Sequence, residues 1–129
     1  MLIVFAGLPA TGKTTISRSL AQKLNAVYLR IDTIEQALIH SGEISRTNLQ
    51  GAGYFVAYAV AKDHLKMKQT VISDSVNSIS ITRNAWKQVA IETQMPIFNI
   101  EIICSDQAEH RKRVETRQSD IENLKFRIG

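Results

Sequence analysis

Residues Gly7-Leu8-Pro9-Ala10-Thr11-Gly12-Lys13-Thr14 have the spacing G-x-x-x-x-G-K-[ST], the pattern of a backbone that wraps phosphate groups. Gly7 and Gly12 can adopt backbone angles closed to other residues, so that successive amides from about Ala10 to Thr15 point inward at phosphate oxygens. A helix beginning near Lys13 adds its unpaired N–H groups and the positive end of its dipole. Lys13 carries a mobile cation to the β- and γ-phosphates, Thr14 offers a hydroxyl to Mg²⁺, and Thr15 can reach the α-phosphate. The expected nucleotide-holding set is therefore Gly7, Ala10, Thr11, Gly12, Lys13, Thr14 and Thr15, and the expected ligand is a nucleoside triphosphate with its metal.

Two carboxylates and a group of arginines also stand where chemistry could use them. Asp32 follows the β-prone run Ala26–Ile31 and is either the N-cap of the next helix or a carboxylate facing a substrate. Asp74 ends the run Gln69–Asp74 and either joins Thr14 at a metal, binds substrate, or caps the turn Ser75-Val76-Asn77. In Glu109–Arg117, a strongly helical stretch, Arg113 and Arg117 share a face, either as part of a lid or as a solvated surface with Arg111 beside it. Arg30 and Arg83 are weaker candidates. The bland readings hold elsewhere. Cys104 is a small hydrophobe at a strand end, His40, His64 and His110 are dispersed, and Tyr54, Phe55, Tyr58 and Trp86 have helical spacing suited to a core or pocket wall.

Positioning these residues takes strands alternating with helices. Leu2–Ala6 reads as a buried strand, Thr15–Leu24 as a helix through Ile16, Leu20 and Leu24, and Ala26–Ile31 as a second strand. A helix through Ile34, Leu38 and Ile39 follows, ending at Ser41-Gly42. A long helix is expected from about Asn48 to Lys68, with Leu49, Phe55, Val56, Ala59, Val60 and Leu65 on its apolar side. Gln69–Asp74 reads as a third strand, Ser80–Gln94 as a helix stopped before Pro96, and Phe98–Cys104 as a fourth strand. The order predicts an α/β domain with a parallel sheet covered on both faces. With 129 residues, 44% of them hydrophobic, the chain suffices for one such domain and hardly for two.

With those elements in view the sequence resembles the P-loop kinases, within the small-molecule and polynucleotide kinase group that includes chloramphenicol phosphotransferase, zeta-toxin-like kinases, AAA-type kinases and 5′-hydroxyl kinases. The resemblance rests on the glycine loop, on Tyr28-Leu29-Arg30-Ile31-Asp32, and on Glu109-His110-Arg111-Lys112-Arg113-Val114-Glu115-Thr116-Arg117. It implies a three-layer P-loop NTPase fold in which the strands run 2-3-1-4-5, and ATP with Mg²⁺ as cofactors. It also implies transfer of the γ-phosphoryl group to a hydroxyl of a small molecule. Asp32 would receive or orient the acceptor hydroxyl, Asp74 would serve as the metal-side acid, and Arg113 and Arg117 would neutralise charge in the transferred group. The alternatives are a 5′-hydroxyl polynucleotide kinase or an ATP-binding module with little catalysis. A GTP switch is disfavoured, because neither Asp32-Thr33-Ile34-Glu35 nor Asp74-Ser75-Val76-Asn77 makes D-x-x-G.

The remaining expectations concern context. Residues 1–129 are taken as a single P-loop kinase-like domain with 105–118 as a charged, lid-like arm. Eleven of the 25 residues from Ser105 onward are Asp, Glu, Lys or Arg. Only residues 118–129 remain after that arm, so the fifth strand is expected to be missing and the chain shortened at its C-terminus, with the fourth strand an open edge. The expected partner is a small molecule carrying a hydroxyl. Nucleic acid is not indicated, since Lys and Arg are spread along the chain despite a net charge of +4. No membrane contact is expected, the lone cysteine and the absence of a signal-like N-terminus point to the cytoplasm, and a monomer or weak homodimer is the expected state.

Overall fold

Every residue of β1 (Leu2–Ala6) is buried, as a central strand covered on both faces requires. The computed structural model describes residues 1–7, 12–75, 80–104 and 124–128. After β1 the chain forms α1 (Lys13–Leu24), β2 (Val27–Arg30), α2 (Ile31–His40), α3 (Ala52–Lys66), β3 (Val71–Asp74), α4 (Ser80–Thr93), β4 (Ile97–Cys104) and β5 (Leu124–Ile128). β1 pairs in parallel with β3 (Leu2↔Val71 to Phe5↔Asp74) and with β4 (Leu2↔Ile97 to Ala6↔Glu101), and β2 pairs in parallel with β3. The four parallel strands therefore lie in the expected order 2-3-1-4.

Alternation along β1 sorts the core into two layers. Leu2 and Val4 face α3 and α4, meeting Ala57, Ala61, Leu65, Trp86, Val89 and Ala90. Ile3 and Phe5 face α1, with Ile72, Ala21, Ile16 and Leu20. The buried stripe of α3 is Gly53, Ala57, Ala61 and Leu65, not the side bearing Phe55 and Val56 that the apolar pattern predicts; Phe55 is 73% exposed. Small side chains let α3 lie close to its neighbours. At Gly53 a Cβ would come within 2.5 Å of Glu35 Cγ on α2, so a bulkier residue there would have to displace the Glu35 side chain.

The fifth strand, expected to be missing, is present. Leu124–Ile128 pairs with β4 in antiparallel register, Ile100↔Ile128 through Cys104↔Leu124, to complete the order β2-β3-β1-β4-β5. Five residues suffice because β1 occupies only one side of β4, leaving the backbone groups of its other side for a returning segment. β4 is thus an inner strand, and the open edge expected there is covered. The arm at 105–118 lies outside the described residues. Among the described residues no helix is long and apolar enough to cross a membrane.

Candidate active site

The helix α1 starts where Gly12 adopts a left-handed conformation, φ 84° and ψ 2°. This geometry favours glycine, and it aims the first turn of α1 at the C-terminal ends of β1 and β3. The buried positions of α1 are Lys13, Ser17 and Ala21, each four residues apart and so on one face. That face carries Lys13 inward, to a side-chain exposure of only 7%. Its Nζ donates to Asp74 Oδ1 at 2.5 Å and to the Ser75 carbonyl oxygen at 3.0 Å.

Asp74 sits at the end of β3 between Phe5 of β1 and Arg30 of β2, and Ser75 continues the register by donating its N–H to the Phe5 carbonyl. The second carboxylate oxygen is equally engaged. Asp74 Oδ2 accepts from the Tyr28 hydroxyl at 2.6 Å and from Ser17 Oγ at 3.1 Å. The two hydroxyls are 3.2 Å apart, and Ser17 Oγ also lies 3.2 Å from the Thr14 carbonyl oxygen. Burial alone would push the Asp74 carboxyl up. The hydrogen bonds from Lys13, Tyr28 and Ser17, with the Lys13 charge, outweigh it and hold the group below its ordinary value. Burial, together with the donated hydrogen bond to Asp74, pushes the Tyr28 phenol up to about 12.

Thr14 is half-buried in the first turn of α1, Thr15 is exposed, and Gly7 follows β1 with φ 152°. Ala10, Thr11, Arg111, Arg113 and Arg117 lie outside the described residues. Asp32 is not a helix N-cap. The cap position is Arg30 in an extended conformation, α2 begins at Ile31, and Asp32 stands exposed in the first turn, 3.6 Å from Arg30. Since Arg30 pairs with Asp74 across the sheet, Asp32 is on the same rim as the Lys13–Asp74 pair. Arg83 forms an exposed ion pair with Glu101 at 3.1 Å. Asp74 engages Lys13, Tyr28 and Ser17 among the described residues, and Val76 and Asn77 of the turn it was expected to cap lie outside them.

Tyr28 and Ser17 are the site residues that sequence reading missed. Ser17 was detectable as the residue four after Lys13, and hence on its helix face. Tyr28 carried no local signal beyond being a polar-tipped ring in an apolar strand. A second polar group lies nearby on the α2–α3 side, where burial and the Asp32 charge push Glu35 up, and burial and the Glu35 charge push Tyr54 up.

The donor chemistry fits Mg²⁺, which takes hard oxygen ligands and keeps several waters. A carboxylate at Asp74 and a hydroxyl at Thr14 are both of that kind. Among the described residues no group of three or more His, Cys, Asp or Glu side chains could hold a metal by itself, so a bound Mg²⁺ would take most of its ligands from phosphate and water.

A family model described as AAA domain matches residues 2–126. A search of curated proteins found no match. Among solved structures, a candidate kinase from Chloroflexus aurantiacus superposes with a TM-score of 0.73 at 21% identity, covering 94% of this chain and 68% of that one. Chaetomium thermophilum Kti12, solved in complex with ADP-AlF3, gives 0.67 at 23% identity, with 95% and 78% covered. A variant of the Mycobacterium tuberculosis APS kinase CysC gives 0.63 at 17% identity, with 78% and 73% covered. These likenesses establish a P-loop NTPase-like α/β fold.

Proposed function

Because this chain belongs to the AAA-domain family, we propose that it is an ATP- and Mg²⁺-dependent phosphotransferase that moves the γ-phosphoryl group to a hydroxyl of a small molecule. The observation that carries the reading is the meeting of Lys13, at the mouth of the glycine loop, with Asp74, at the end of the adjacent parallel strand. A nucleotide site needs a cation for the phosphates and an oxygen ligand for the metal side by side, and two residues 61 positions apart supply both.

In this proposal the amides from about Ala10 to Thr15 hold the phosphate oxygens, and Lys13 turns from Asp74 toward the β- and γ-phosphates. Thr14 and Asp74 are the residues that would hold Mg²⁺, which supplies charge neutralisation at the phosphates. Asp32, exposed on the same rim, orients the hydroxyl and takes its proton as the new P–O bond forms and the bond from the γ-phosphorus to the β–γ bridging oxygen breaks, releasing ADP. Arg113 and Arg117 are proposed to neutralise the transferred group.

The test is an ATP titration with and without Mg²⁺, followed by a transfer screen over nucleosides, sugars, antibiotics and a 5′-hydroxyl oligonucleotide. Lys13→Ala should abolish ATP binding. Asp32→Asn should leave ATP binding within about twofold while cutting transfer by about 10²-fold or more. ATP binding with no transfer to any acceptor would favour the simple binding module, and transfer to the oligonucleotide alone would favour the polynucleotide kinase. Full transfer by Asp32→Asn would remove Asp32 from its role.

A further inference from the structure

We propose that Tyr28 and Ser17 are positioning residues that pin one oxygen of Asp74, leaving the other as the single oxygen exchanged between Lys13 and the metal. The inference rests on the metal assignment proposed above and extends it to two residues outside the glycine loop.

Oδ1 of Asp74 is taken by Lys13 and Oδ2 by Tyr28 and Ser17. When phosphates draw Lys13 away, only Oδ1 loses its partner. A carboxylate released at both oxygens would rotate about its Cβ–Cγ bond, but one held at Oδ2 keeps its plane and presents Oδ1 where the ammonium had been. Tyr28 is the committed donor, at 2.6 Å. Ser17 has one proton and three acceptors within 3.1–3.2 Å: Asp74 Oδ2, the Thr14 carbonyl and the Tyr28 hydroxyl oxygen. Its position ties the first turn of α1, which bears Thr14, to the end of β3, which bears Asp74. The two expected metal-holding residues come from different elements, and Ser17 with Tyr28 sets the spacing between them. Such outer partners commonly change metal affinity by 10–100-fold, roughly, when removed.

The experiment measures ADP and ATP affinity by calorimetry across a Mg²⁺ series for the wild-type chain, Tyr28→Phe, Ser17→Ala and the double variant, with melting temperatures to confirm folding. The expected result is Mg²⁺-free nucleotide affinity within twofold of wild type in each variant. The Mg²⁺ concentration at half-maximal enhancement should rise about tenfold in Tyr28→Phe and less in Ser17→Ala. The double variant should depart from additivity, because the two hydroxyls share one acceptor. If Tyr28→Phe does not fold, Ser17→Ala carries the same test. Unchanged Mg²⁺ dependence in the folded variants, or an equal loss with and without Mg²⁺, would overturn the positioning role while leaving the proposed function standing. A wild-type chain whose nucleotide affinity ignores Mg²⁺ would overturn the metal assignment and this inference together.

Discussion

Replacing Lys13 with Ala tests the centre of the site through stability as well as binding. The pair it removes is buried, with side-chain exposures of 7% for Lys13 and 1% for Asp74. Breaking a buried ion pair by deleting one partner strands the other charge, at a cost of about 3–5 kcal/mol. Here Tyr28 and Ser17 still donate to Asp74, and hydrogen bonds to a charged group contribute about 1.5–3 kcal/mol each. The expected cost is therefore at the lower end, about 3 kcal/mol at pH 7. The pH dependence separates this cause from a packing defect. In the wild-type chain the Asp74 carboxyl is held below its ordinary 3.8, so its stabilising contribution is present above that value and is lost as pH falls through the lower folded-state value. In Lys13→Ala the lysine's lowering influence is gone while burial still pushes the carboxyl up. The variant's Asp74 takes its proton at higher pH, and the stability gap should narrow between pH 7 and pH 4. Urea unfolding followed by CD at both pH values measures the gap, and Lys13→Ala combined with Asp74→Asn should recover most of the loss. A gap below about 1 kcal/mol at pH 7, or one that is the same at pH 4, would refute the reasoning.

Trp86, the sole tryptophan, is fully buried and meets Tyr58 edge-on at 4.7 Å. Trp86→Ala should cost about 4 kcal/mol by urea unfolding, and native emission of the wild-type chain should be blue-shifted relative to the unfolded chain. Gly12→Ala must hold a side chain at φ 84°, so it should lose about 1–2 kcal/mol and weaken ATP affinity in calorimetry. Glu35 is pushed above its ordinary 4.5 by burial and by Asp32. Its ionised form therefore costs stability at pH 7, a cost that disappears as pH falls through the raised value. Glu35→Gln should raise the melting temperature at pH 7 and give no such gain below pH 4.5.

Much of this was readable locally. The glycine loop, the buried run of β1 and the helical face of α1 are properties of contiguous residues, and their spacing announces them. The boundaries of α3 and α4 came within a few residues for the same reason. The inward face of α3 did not, because Phe55 and Val56 look like core residues until the packing of α3 against the sheet and α4 buries Ala57 and Ala61, and its approach to α2 buries Gly53. Asp32 looked like a cap, yet α2 starts one residue earlier. The last strand was expected to be missing because a run of five residues means little until an unpaired side of β4 is there to receive it.

The division follows from range. Glycine torsions, apolar runs and helical periodicity act over a few residues, so the amino-acid order settles where the phosphate loop is, which strand precedes it and which helix follows. The convergence of Lys13, Ser17, Tyr28 and Asp74 depends on β3 lying between β1 and β2. That order is set by which faces can be buried together, and only the folded sheet brings a lysine and a serine of one helix and a tyrosine of a strand to the oxygens of a carboxylate on another strand.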